Sequence, residues 1–257
     1  MTVLLLAGTG EARRLAQILA EAGVAAQASL AGATETPAPL AIPVRSGVFG
    51  VSNGVACWSR RHKFPAILDA THPFAAGISA NAAQAARLSE TPYLHFRRPA
   101  WTAGPGDCWS HYPTLAAAAQ ALPSGASVFL GTGKTSLPDF SPRTDLKLTL
   151  RALSAPDTLP THVTLVLAPP GKAAETEIAL FKSLGITHLV VKNAGGPLGF
   201  AKLEAARSLG LPVLVVDRPP PPPETRTASA PAAALTWLAG YLSAEVANRL
   251  RDAARGT

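Results

Sequence analysis

The chain has 257 residues, of which 47% are hydrophobic and 15% charged, with a formal net charge of +7. That length accommodates one large domain or two small ones with ample core, and the basic balance favours anionic partners. The basic residues are scattered and the aromatics amount to 6%, so no nucleic-acid surface is expected.

Val3 to Leu6 is a short apolar run, read as a buried strand. Gly8, Thr9 and Gly10 follow as a tight turn, and a helix starts near Glu11. Ala12, Leu15, Ala16, Leu19 and Ala22 recur at helical spacing on one face, with Arg13, Arg14, Gln17 and Glu21 on the other. Strand, glycine turn and helix place bare N–H groups at the top of a sheet, which suits a phosphate. The turn is not a full G-x-G-x-x-G, because Arg13 occupies the third glycine position, and such turns also occur in α/β proteins without a nucleotide. Val24 to Leu30 reads as the second strand. It ends in Ser29-Leu30-Ala31-Gly32, without the acid that holds the ribose hydroxyls of NAD, which leaves NADP open.

Thr34 to Leu40 is loop-like. Ile42 to Val44 reads as a strand followed by Arg45-Ser46-Gly47, a turn suited to holding a phosphate or serving as an ordinary connection. A helix is expected within Val51 to His62, ending in a basic cluster that suits a helix C-terminus. Ala66 to Ala70 is a strand, Thr71-His72-Pro73-Phe74-Ala75 follows it, and a helix spans Ala75 to Leu88. Pro73 holds His72 extended at the carboxyl end of its strand. Pro92 to Phe96 is a further strand, and Arg97 to His111 is irregular.

The pattern then restarts. Tyr112 to Leu122 is helical, and Ser127 to Leu130 is a strand followed by Gly131-Thr132-Gly133-Lys134, which lacks the full P-loop frame. Strands at Leu146 to Leu150, Val163 to Leu167, His188 to Val191 and Val213 to Val216 alternate with helices at Glu175 to Leu184 and Phe200 to Leu209. The last of these strands leads through Asp217-Arg218 to five consecutive prolines, read as a polyproline spacer. A single amphipathic helix is expected over Ala232 to Arg251. Two doubly wound α/β domains follow, residues 1–110 and 111–257. Arg45, His72, Lys134 and Lys192 all fall just after strands, at the edge where open parallel sheets bind ligands. If the two edges face each other, these groups converge on a central cleft.

Cys57 and Cys108 form no CxxC pair, so neither a disulfide framework nor a zinc site is expected, and both read as buried thiols. No metal site is expected. The first residues lack the basic n-region of a signal peptide, and no apolar run approaches the roughly 20 residues of a membrane span. A cytoplasmic protein is expected, with no membrane partner.

Several motifs taken in order resemble the precorrin-6A reductase family of cobalamin biosynthesis. They are LLLAGTGEARRLA near the N-terminus, RSG at 45–47, DATHPFA at 69–75, VVKNAGG at 190–196 with Lys202 and Ala205-Ala206 beyond it, and LPVLVVDRP at 211–219. The resemblance implies two Rossmann-like, doubly wound parallel-sheet domains facing a central cleft. It also implies NADPH-dependent reduction of one double bond of an anionic tetrapyrrole, precorrin-6A, to precorrin-6B. By position it implies cofactor contacts at Gly8, Thr9, Gly10, Ser46, Gly47, Thr71, His72 and Pro73. Lys192, Asn193, Gly195 and Gly196 would approach the nicotinamide or the substrate from the second domain. Arg14, Arg45 and Lys202 are candidates for phosphate or substrate carboxylates, and His72, Glu11 and Lys192 for catalytic roles. The turn is GTGE where the family often has GGTxE, and Ala194 stands where serine is frequent. A cobalt-containing ring and a non-catalytic nucleotide or polycarboxylate binder are the alternative readings. A monomer or small homo-oligomer is expected.

Overall fold

A computed structural model describes residues 2–30, 39–47 and 63–255, with Ser46 described by its backbone alone. The chain divides into two compact units, residues 1–99 with 219–257, and residues 100–218. In chain order the first unit contains β1 (Val3–Leu6), α1 (Gly10–Glu21), β2 (Ala26–Leu30), β3 (Val44–Ser46), β4 (Ile67–Asp69), α2 (Ala76–Leu88) and β5 (Tyr93–Phe96). The second contains β6 (Cys108–Tyr112), α3 (Leu115–Ala121), β7 (Ser127–Gly131), a 3-10 turn at Lys134–Ser136, α4 (Leu137–Phe140), β8 (Lys147–Ala152), β9 (Val163–Leu167), α5 (Ala174–Ser183), β10 (His188–Lys192), α6 (Ala201–Leu209) and β11 (Pro212–Val216). The chain then returns to the first unit as β12 (Arg226–Ala228), α7 (Pro231–Ala239) and α8 (Ala244–Ala254).

The first sheet is entirely parallel, in the order β12-β5-β4-β1-β2-β3. β1 is buried at every position, as a central parallel strand covered on both faces should be. Its side chains alternate between the faces. Val3 and Leu5 join Leu15 and Leu19 of α1, Leu235 and Leu238 of α7 and Leu250 of α8 in one core. Leu4 and Leu6 join Ile67 and the small side chains Ala82 and Ala86 of α2 in the other. Burying each such leucine contributes roughly 2 kcal/mol.

The second sheet is also parallel, in the order β6-β11-β10-β7-β8-β9. Its core joins Phe129, Phe181, Leu189, Val191, Leu203, Val213 and Val215. The Phe129 and Phe181 rings lie 4.9 Å apart. The two sheets share one plan. Each has a central strand, β1 or β7, flanked on one side by the next strand in the chain, β2 or β8, and on the other by the third strand after it, β4 or β10. The order therefore reverses between β1 and β4 and between β7 and β10, and ligands of doubly wound sheets bind at such switch points.

Several expectations are corrected. The second domain does not run to residue 257, because β12 adds to β5 in register Arg226↔Leu94 and α7 and α8 bury their leucines in the first core. The unit boundary accordingly lies after Pro99 rather than at residue 110. The expected single C-terminal helix is two helices. Gly240 caps α7, and Ser243 takes an extended backbone before α8, so both helices lay apolar faces on the same core. The expected irregular stretch 97–111 contains most of β6, which pairs with β11 from Pro212↔Cys108 to Val216↔Tyr112. Cys108 on that edge strand is exposed, not buried. The expected helix within 51–62 and Cys57 lie outside the described residues, and the strand expected at Ile42 to Val44 is shifted to Val44–Ser46.

Candidate functional site

In the first unit the switch point is framed by the carboxyl ends of β1 and β4. Gly8 has φ +142°, a backbone conformation that side-chain-bearing residues rarely adopt, and a Cβ added there would meet nothing within 4 Å. The turn therefore has open space above it. Thr9 caps α1 with its hydroxyl, which accepts from the Ala12 amide at 3.1 Å. The same hydroxyl donates to the Ala70 carbonyl at 2.9 Å. Thr9 thus ties the glycine turn to the end of β4, and its hydroxyl already serves the protein in both directions. What it presents to a ligand is the backbone of the turn at a helix N-terminus.

The loop after β4 is held from behind by Asp69, which is completely buried. Its Oδ1 accepts from the Thr71 amide at 3.0 Å and its Oδ2 from the Tyr93 hydroxyl at 2.6 Å. Burial, reinforced by the Asp69 charge, pushes the Tyr93 phenol far above its ordinary range. Thr71 is 3.3 Å from the Ser79 hydroxyl of α2. Beside Asp69 on β5, His95 is buried, and that burial holds its imidazole below the usual histidine range. His72 Nδ1 accepts from the Phe74 amide at 3.2 Å, which assigns the ring proton to Nε2. Gly8, Thr9, Gly10, Thr71, His72 and Pro73 are therefore brought to one edge on two adjacent strands.

The remaining predicted residues of this unit are placed differently. Ser46 and Gly47 end β3, two strands from β1 and so about 10 Å across the sheet. Gly47 has φ +119° with open space around an added Cβ, and Arg45 donates back to its carbonyl at 2.9 Å. Arg14 is exposed on α1. Glu11 forms an ion pair with Arg98, the two side chains only 18% and 11% exposed. The carboxylate expected as a candidate catalytic group is engaged by a guanidinium.

In the second unit the corresponding edge is formed by the ends of β7 and β10. After β7, Thr132 and Ser136 share a hydrogen bond of 2.5 Å, and Lys134 donates to Ser154 Oγ at 3.0 Å. This turn is closed on itself by its own hydroxyls. After β10, Lys192 is half-buried, and desolvation lowers its ammonium below the ordinary lysine range against the opposing pull of Asp139. Asn193 commits both ends of its carboxamide to one backbone unit. Its Oδ1 accepts from the Trp101 amide at 2.8 Å, and its Nδ2 donates to the Trp101 carbonyl at 3.1 Å. The Asn193 side chain is thus engaged within its own unit, and its backbone is what remains at the edge. Gly195 and Gly196 follow with φ +67° and +73°.

Lys202, expected to meet a phosphate or carboxylate, is 6% exposed. Its ammonium donates to the Gly199 carbonyl at 2.6 Å and lies 5.5 Å from the centre of the Trp101 ring. Burial brings it down to about 8, Glu177 working against the shift and Arg151 adding to it. Arg151 and Glu177 form a buried bidentate pair at 2.7 and 3.0 Å. A side chain at Gly171 would strike Glu177. Sequence reasoning missed Trp101 and this pair. Arg151 lies within β8, and its partner Glu177 is one helical acid among several in the sequence.

Among the described residues, no group of three or more His, Cys, Asp or Glu side chains could hold a metal ion, and no helix is long and apolar enough to cross a membrane. The family model described as Precorrin-6x reductase CbiJ/CobK matches residues 2–239. The chain belongs to that family. It is 45% identical to the precorrin-6A reductase of Rhodococcus erythropolis over 92% of this chain and 96% of that one. It is 44% identical to that of Rhodobacter capsulatus over 84% and 88%. A solved structure of CobK precorrin-6A reductase superposes with a TM-score of 0.89 at 41% identity, covering 94% of this chain and 97% of that one. The switch-point loops of both units lie inside the family match. A reductase of this family needs a nicotinamide cofactor.

Proposed function

We propose that this member of the family reduces one double bond of precorrin-6A, giving precorrin-6B, with NADPH as the hydride source. The observation that carries the reading is the Thr9–Ala70 tie, which sets an open glycine turn, a helix N-terminus and the Thr71-His72-Pro73 loop side by side at a sheet switch point. The names of the relatives at 44 and 45% identity support precorrin-6A as the substrate.

The described residues fit a dinucleotide. The Gly8 turn and the first amides of α1 would hold its pyrophosphate, because a bare backbone lets the anion approach and the helix end favours negative charge. The second strand ends without an acid in the sequence, and Arg45 stands at the neighbouring strand end; this supports the 2′-phosphorylated cofactor. When bound, the nicotinamide supplies the hydride to one carbon of the double bond. The adjacent carbon takes a proton from solvent. His72 lies in the cofactor loop, its Nδ1 taken by the Phe74 amide. Lys192 and the backbone of Gly195 and Gly196 serve the substrate, whose carboxylates suit a protein of net charge +7. Orienting the reactants supplies several kcal/mol of the barrier without a dedicated acid.

Fluorescence titration with NADPH and NADH, followed by an anaerobic absorbance assay on precorrin-6A, tests this. Selective NADPH binding with loss of the precorrin-6A spectrum is expected. Saturable binding without oxidation of NADPH would make the chain a binder instead.

A further inference from the structure

We propose that Trp101 is a positioning residue of the reductase, holding the Lys192–Gly199 loop in its working shape through contacts with Asn193, Gly196 and Lys202. The inference rests on the reading that this loop serves the substrate side of the site.

The indole is gripped on every polar handle it offers. Its backbone amide and carbonyl are both taken by the Asn193 carboxamide, at 2.8 and 3.1 Å. Its Nε1 donates to the Gly196 carbonyl at 2.7 Å. The Lys202 ammonium stands over its ring, and the Phe200 ring packs 6.1 Å away in a tilted arrangement. Lys202 in turn holds the Gly199 carbonyl. One residue, 8% exposed, therefore meets the loop at its start through its backbone and in its middle through its indole, while Lys202 over the ring holds its end.

The loop needs such a template. Gly195, Gly196 and Gly199 all have positive φ, between +67° and +81°, and glycine loses more conformational freedom on ordering than any other residue. A glycine loop left to itself would sample many shapes. The close fit around Lys202 narrows them further. A Cβ at Gly131 would lie 3.1 Å from its side chain, and one at Gly199 would lie 2.7 Å from its ammonium. The cation over the indole adds an attraction that strengthens where water is excluded. Substrate binding at Lys192 and Gly196 then meets a preformed surface, and the ordering penalty falls on folding instead of on each turnover.

The test uses Trp101→Phe, which keeps an aromatic ring under Lys202 and the backbone clamp but deletes the donor to Gly196. Hydrogen–deuterium exchange of residues 192–199 reads the grip directly, and steady-state kinetics reads its use. Faster exchange of the segment is expected, with an unchanged NADPH dissociation constant and a fall of about tenfold in kcat/KM for precorrin-6A, the loss expected from one buried hydrogen bond. Unchanged exchange would overturn the proposal. Faster exchange with unchanged kcat/KM would overturn the positioning role. Lys202→Met, which removes the cation and the Gly199 contact without emptying the site, is expected to act in the same direction if Trp101→Phe folds poorly; unchanged exchange in that variant would also overturn the proposal. If the unmodified protein turns over no precorrin-6A, the functional reading fails, and the exchange measurement still decides whether Trp101 holds the loop.

Discussion

Thr9 donates its hydroxyl to the carbonyl of Ala70 at 2.9 Å while accepting from the Ala12 amide at 3.1 Å. One small side chain thereby starts α1 and joins the two strand ends of the switch point. Thr9→Ala removes both bonds, at about 1 kcal/mol for the cap and about 1 kcal/mol for the tie. NADPH affinity is expected to weaken several-fold along with stability, whereas Thr9→Ser, which keeps the hydroxyl, holds both close to the parent. Isothermal titration and urea unfolding of the two variants check this. Equal affinity in the alanine variant would separate the tie from the cofactor site.

Tyr93→Phe leaves the buried Asp69 Oδ2 without its 2.6 Å donor. An unsatisfied buried acceptor costs about 1–3 kcal/mol, so the urea midpoint should fall by a corresponding amount. The Thr71 amide bond to Asp69 loosens with it, and the effect on NADPH affinity should follow that of Thr9→Ala. A variant as stable as the parent would mean that water replaces the phenol.

How much of this was legible in the sequence follows from periodicity. β1, α1, the DATHPFA loop and the KNAGG loop announce themselves through apolar runs ended by glycine, proline or a lone cation. β12 is a three-residue strand of sequence RTA; it has no apolar alternation, and only its pairing with β5 makes it a strand. The return of the C-terminal helices to the first core was hidden for the same reason. Gly240 and Ser243 marked the break between α7 and α8, but the helical period continues across them. Asn193 shows how a motif can be found without its partner: its position in the KNAGG loop is plain, but Trp101 lies 92 residues away in a glycine- and proline-rich stretch.

Lys202 links pH to stability. Its ordinary value is 10.5, and in the folded protein burial brings it down to about 8. Below pH 8 it is protonated in both states, and the burial penalty is fully present. Between the two values the unfolded chain binds the extra proton, so folding becomes more favourable as pH rises. The groups acting on it electrostatically are Glu177 and Arg151. The thermal midpoint of the parent should therefore gain on that of Lys202→Met as pH goes from 8 towards 10. Parallel curves in calorimetry would show that the ammonium is better solvated than its surroundings indicate.

Lys192→Ala is expected to lower turnover of precorrin-6A by about tenfold or more, as the loss of one charge-assisted contact does. Cofactor affinity should stay within a factor of about two, as expected of a group that serves the substrate. Paired kcat and NADPH binding measurements distinguish the two effects. A weakened cofactor with normal turnover would reverse the assignment.

The most direct measurement is the anaerobic reaction of the purified protein with precorrin-6A and either NADPH or NADH, following both chromophores at once. One NADPH should be oxidised for each precorrin-6A lost, with NADH markedly slower. Binding of NADPH without oxidation, or equal rates with the two cofactors, would contradict an NADPH-dependent precorrin-6A reductase.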